Sequence, residues 1–195
     1  MATDRDIRYT PGAIEIRSDH GANGSLGTIT GYSAVFDIRS EDLGGFVEIV
    51  ARGAFDKVIS ESPDVRGLVN HDGNLIIGRT SSGTMRLSIE QKGLRYEIDV
   101  ADTQPGRDIL TSIKRGDVSG SSFAFVVGKD RWDTVDGQEI RTIIEVKGLY
   151  DSGPVTQPAY PATVAAASKR SLEAYAFPKL LKYRSRVDAD VAKYL

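Results

Sequence analysis

The segment "MRLSIEQKGLRYEIDV", Met85 to Val100, constrains the fold more than any other part of the chain. Met85, Leu87 and Ile89 alternate with polar residues, and Leu94, Tyr96, Ile98 and Val100 repeat the pattern after a turn at Gln91–Gly93. A period of two puts the apolar side chains of each strand on one face, so the pair is read as a hairpin with one face buried. An isolated hairpin is barely stable in water, and this one calls for further strands to cover that face.

The chain supplies them. "TITGYSAVFDI" reads as a strand with Gly31 as a bulge or close-approach point, Phe46–Val50 as a short strand, and "VRGLVNHDG" as the start of a second cluster. "GSSFAFVVG" and "IRTIIEVKGLY" read as two more, and Ala13–Arg17 as one in the lead-in. "KDRWDTVDGQE" is expected as a loop and "DSGPVTQPAYPAT" as a proline-punctuated extended segment. Before the tail, helical spacing falls in "GAFDKVISES", with Phe55, Val58 and Ile59 together, and "GRDILTSIKRG", with Ile109, Leu110 and Ile113 on one face and Gly116 as the stop. The expected architecture is α+β: about six or seven mostly antiparallel strands with a few helices outside, closed or nearly closed into a β-barrel because closure removes exposed edges.

At 195 residues the chain suits one domain with a full core. We expect a lead-in over 1–27, a central domain over 28–167 and a basic helical tail over 168–195. No apolar run reaches the length of a membrane span, and "MATDRDIRYT" lacks the apolar centre of a signal peptide. The absence of cysteine removes disulfides, zinc-thiolate sites and cysteine nucleophiles together, and fits an intracellular protein. The net charge of −2 hides an asymmetry: residues 168–195 hold seven Lys/Arg against three Asp/Glu, a surplus of four, which leaves −6 on the rest. Two helices are expected there, Ser171–Phe177 and Pro178–Leu195, the second with Leu180, Tyr183, Val187, Val191 and Tyr194 on one face. That face must pack on the body, a second copy or a partner. A basic tail on an acidic body also suits an acidic partner or nucleic acid, but no strand interleaves aromatic and basic residues as RNA-binding sheets do.

The chemistry on offer is narrow. The two histidines are His20, in a Gly/Asn-rich stretch and read as a bystander, and His71, at the end of an apolar strand between Asn70 and Asp72. With no cysteine, two histidines make a poor zinc site, and there is no P-loop, no GxGxxG after a strand and no GxSxG elbow. No metal and no cofactor is expected. Ser121 and Ser122 stand together in an apolar strand, where each hydroxyl needs a partner or water. A serine needs an adjacent base to act as a nucleophile, and histidine titrates in the right range. The candidates for a third, orienting group are Asp72, Glu145 and Asp151. Asp72 adjoins His71 and should point away from the ring. If the serine strand pairs with its successor about the "WDTVDG" loop, Ser122 falls opposite residues 145–147, close to Glu145.

The segments "GYSAVFD", "RGAFDKVI", "LVNHDGNLIIGRT", "GLRYEIDV", "GRDILTSIKRGDVSGSSFAF", a lone Trp and "LYDSGPVTQPAYPAT" follow one another in an order that resembles the prohead proteases of HK97-like tailed phages. The similarity runs from Gly31 to Thr163, about two thirds of the chain. The resemblance implies a serine endopeptidase of capsid maturation, distantly similar in fold to the herpesvirus assembly proteases. It matches His71 to the family histidine and Ser122, rather than Ser121, to the family serine. In the herpesvirus relatives the third member is a second histidine on the next strand; the matching place here holds Glu145, with Asp151 as the alternative. By the same analogy the oxyanion hole would use backbone N–H groups at Ser152 and Gly153, although the arginine used there has no equivalent in this turn. The implied substrates and partners are the major capsid protein, its scaffolding segment and the protease itself. Self-association as a dimer is expected, with neither membrane nor nucleic acid as a partner, in the host cytoplasm inside the assembling procapsid. The competing reading is a non-enzymatic assembly or scaffolding factor with Ser122 and His71 structural.

Overall fold

The structure, a computed structural model, describes residues 5–11, 14–17 and 24–156. The expected tail helices and His20 lie outside the described residues. Among the described residues ten strands form two sheets, with two helices between them in sequence. The first sheet holds β1 (Asp6–Thr10), β4 (Phe46–Val50), β5 (Arg66–Leu68), β6 (Ile76–Arg79), β9 (Gly120–Val135) and β10 (Gln138–Val155). Its order is β1-β9-β10-β5-β6, and β4 also pairs with β10. The second sheet runs β2-β3-β8-β7, made of β2 (Glu15–Arg17), β3 (Gly27–Val35), β8 (Gly93–Val100) and β7 (Met85–Ile89).

The alternation in Met85–Val100 produces the hairpin it predicts, with Met85, Leu94, Tyr96, Ile98 and Val100 all buried. Their cover comes from Phe123 and Phe125 of β9 and from Ile143, Val146 and Leu149 of β10, in one continuous core. Helix α1 (Asp56–Ser60) adds Val58 to that core. Helix α2 (Gln104–Arg115) adds Ile109 and Leu110; it starts at Thr103, whose hydroxyl accepts from the Gly106 N–H, and stops at Gly116.

The fold is strand-rich α+β with few helices, but the expected closed barrel is replaced by two open sheets among the described residues. Where a barrel would continue its ladder, side chains join the sheets instead. Thr10 Oγ1 of β1 donates to the Ser33 carbonyl of β3 at 2.5 Å. Outer strands are guarded by charge: Arg86 on β7 pairs with Asp99, and Arg79 on β6 with Asp64. Two pairings are parallel, β10 with β4 and β10 with β5, against six antiparallel ones. The lead-in is sewn into both sheets through β1 and β2, and the expected boundary at 27/28 falls within β3. Among the described residues no helix is long and apolar enough to cross a membrane.

Candidate active site

The register of β9 against β10 builds the site. Asp136 and Gly137 both have positive φ, 51° and 79°, and form the two-residue turn that an Asp-Gly pair favours between strands. The segment expected as a loop is therefore the end of one strand and the start of the next. Four register shifts follow along the ladder, so that Asp151 lies opposite Ala124 and Gly153 opposite Ser122. Each shift adds a residue or a kink, and such irregularities collect beside functional sites.

The pleat separates the two serines. Ser121 shares a face with Phe123 and Phe125, whose rings stack at 4.6 Å, and points at the second sheet. Its Oγ bonds the Tyr96 hydroxyl at 2.8 Å, in a space that Gly31 keeps open: a Cβ there would lie 2.5 Å from the Tyr96 oxygen. Burial pushes the Tyr96 phenol above its ordinary range. Ser122 points to the opposite face, with only 1% of its surface exposed.

His71 reaches Ser122 from the turn after β5. Residues 70 and 71 are both left-handed, with φ of 52° and 58°, a conformation that costs energy for residues other than glycine. His71 Nε2 lies 2.6 Å from Ser122 Oγ, and His71 Nδ1 lies 2.5 Å from Asp151 Oδ1. Asp151 is 8% exposed. A carboxylate at Nδ1 accepts the N–H there and leaves Nε2 as an acceptor for the serine proton. Ser122 Oγ also lies 2.9 Å from the Arg8 carbonyl of β1, so its single proton has two acceptors.

The other predicted residues sit elsewhere. Glu145 is held by Lys129 at 2.9 Å and Lys57 at 3.3 Å, which keep its carboxyl below the usual range, and has no bond to His71. Asp72 points away, as expected, and accepts from the Asn74 N–H at 2.8 Å. Ser152 Oγ bonds Ser33 Oγ in the interior. Gly153 is required by space, since a Cβ would come within 2.2 Å of the Leu68 carbonyl oxygen. Ser152 is paired with β9 on one side and β5 on the other, and a strand between two neighbours turns its N–H groups toward them. Gly153 is paired with Ser122 of β9, while the pairing with β5 covers Asp151 and Ser152. Sequence reasoning missed the part played by β1; its one signal was the Ile7/Tyr9 alternation in "DIRYT".

A hydroxyl, an imidazole and a carboxylate in one line of hydrogen bonds form the arrangement that activates a serine for acyl transfer. Comparison with known proteins points the same way. No curated protein sequence matches the chain. Among solved structures it is similar to the bacteriophage T4 capsid assembly protease, gp21, with a TM-score of 0.50 and 12% identity over 80% of this chain and all of that one, a likeness of fold. The sequence model for the caudovirus prohead serine proteases matches residues 12–177. That match spans most of the protein, and the chain belongs to the caudovirus prohead serine protease family.

Proposed function

We propose that this serine protease is an endopeptidase of capsid maturation that cuts the scaffolding segment of the major capsid protein, and itself, inside the assembling procapsid. Ser122 is the nucleophile, His71 the general base and Asp151 the group that orients the imidazole. The observation that carries this reading is the unbroken line Asp151–His71–Ser122, with both hydrogen bonds at 2.6 Å or less. Asp151 is preferred to Glu145 as third member because it touches the ring and Glu145 is engaged by two lysines.

The chemistry follows from the roles. The Ser122 proton passes to His71 Nε2 while Oγ bonds to the scissile carbonyl carbon. The imidazolium is held by the Asp151 carboxylate, which stays ionised. His71 then returns the proton to the amine nitrogen as the C–N bond breaks, leaving an ester on Ser122. Water, deprotonated by the same nitrogen, resolves the ester to a free carboxylate and regenerates the hydroxyl.

Co-expression with the major capsid protein from the same source tests this. Wild type should shorten the capsid protein, read by intact mass, and Ser122→Ala should leave it whole, with kcat reduced on the order of 10⁶-fold. Equal shortening by Ser122→Ala would reject the reading in favour of a structural serine.

A further inference from the structure

We infer that Asn70 is a positioning residue: it staples the turn that carries His71 to the far end of β10, so that the point where the chain leaves β10 helps to align the base. The inference rests on the proposed role of His71. Asn70 and His71 form a left-handed pair, and such a pair persists only where its surroundings hold it. The hold is concentrated on Asn70. Its N–H donates to the Pro154 carbonyl at 3.1 Å. Its Oδ1 accepts from the Thr156 N–H at 2.9 Å and from the Thr156 hydroxyl at 3.3 Å.

One bond falls on β10, the strand that also carries Asp151 and that faces Ser122 through Gly153, and two fall on the residue that follows it. Base, acid and nucleophile are thus referred to one piece of backbone. His71 is gripped from two sides: its Nδ1 by Asp151, and its backbone, one residue earlier, by residues 154 and 156. Within the turn, the Asp72 N–H to Val69 carbonyl bond at 3.0 Å and the Val69 N–H to Leu75 carbonyl bond at 3.1 Å set its shape but do not attach it to β10. Asn70 itself is exposed, so neither core packing nor burial explains why its side chain turns back onto the protein. A displacement of about 1 Å between reacting groups is enough to lower turnover on the order of 100-fold.

The test uses the full chain and a reporter fusion of the capsid protein's scaffolding segment. Asn70→Gly tolerates the left-handed backbone and removes the side-chain acceptor, at the cost of a looser backbone; Asn70→Asp restores an acceptor; Thr156→Pro removes both donors, N–H and hydroxyl, from the other end. We expect Asn70→Gly to lower kcat about 10- to 100-fold, with KM within about twofold and the melting temperature little changed. Asn70→Asp should recover most of the loss. The Asn70→Gly/Thr156→Pro double variant should be no slower than the worse single one, as for two ends of one contact. The proton NMR signal of His71 Nδ1–H should broaden in Asn70→Gly and sharpen again in Asn70→Asp. Wild-type kcat in Asn70→Gly, with Ser122→Ala inactive, overturns the inference while leaving the triad reading intact. Full activity in Ser122→Ala overturns the triad reading and this inference with it.

Discussion

Asp151→Asn is expected to lower kcat about 10⁴-fold, while Glu145→Gln leaves it within about twofold. The carboxylate at 2.5 Å from His71 Nδ1 fixes the tautomer that frees Nε2 to accept the serine proton. An amide in its place can present its NH₂ to Nδ1, which then becomes the acceptor and leaves the proton on Nε2, facing Ser122 with nothing to take. It also removes the charge that stabilises the imidazolium. Glu145 makes neither contribution. Its carboxylate is tied to Lys129 and Lys57 on the surface, where ion pairs contribute little. The check is steady-state cleavage of the scaffolding segment by both variants. A large loss in Glu145→Gln with none in Asp151→Asn would reverse the assignment.

Glu48→Ala is expected to cost about 3 kcal/mol of stability, at the lower end for breaking a buried ion pair. Glu48 is 3% exposed and takes a bidentate bond from Arg8, Nε at 2.7 Å and the second nitrogen at 2.9 Å. Arg141 adds a third at 3.2 Å. Burial works against the Arg8 charge, yet the carboxylates of Glu48 and Asp6 together outweigh it and raise Arg8 above its ordinary value. Without Glu48 two guanidinium groups stay buried and lose the carboxylate they share. Arg8 keeps a contact to Asp6 at 3.4 Å and Arg141 one to Asp130 at 2.7 Å, which is why the loss is not larger. For a domain of this size the melting temperature should fall by about 6–12 °C. A fall of under about 2 °C would show that water screens the cluster. The cluster matters to the site because it clamps β1 to β4 and β10, and β1 carries the carbonyl that meets Ser122.

What could be read from sequence follows from where the information lies. The hairpin Met85–Val100 and helix α2 were legible because each buries one face with its own local period, and α2 carries its own cap and stop. Phe46–Val50 has the bounds expected of it. Strand β1 was not legible because its inward residues, Arg8 and Thr10, are polar and become buried only through Glu48 and the Ser33 carbonyl. Those partners lie 40 and 23 residues away. The outer part of β9 reads as a loop because Lys129, Asp130, Arg131 and Asp133 line a stretch that β1 does not cover, and charge on an uncovered edge resembles charge in a loop.

The site shows the same division. Placing the turn at Asp136–Gly137, rather than a few residues earlier, moves the partner of Ser122 from 145–147 to residue 151, and the ladder's shifts carry it on to Gly153. The Asp-Gly pair was a readable signal for the first step. The shifts were not readable, because each depends on how β10 bends between β9, β4 and β5. That difference separates Glu145 from Asp151 as neighbours of His71. Asn and His are among the residues that favour a left-handed backbone, but that preference alone does not place one here, and the bonds that hold the turn come from Pro154 and Thr156, more than 80 residues on.

The central claim is that Ser122, and not its neighbour, is the nucleophile. Treating the full-length wild type, Ser121→Ala and Ser122→Ala with a fluorophosphonate, followed by intact mass and peptide mapping, tests it most directly. The account predicts one adduct on wild type and on Ser121→Ala, at Ser122, and none on Ser122→Ala. Ser121→Ala should cost only stability, since it leaves the buried Tyr96 hydroxyl without that partner. An adduct of equal yield on Ser122→Ala, or a wild type that cleaves the capsid protein yet takes no label at Ser122, would contradict it.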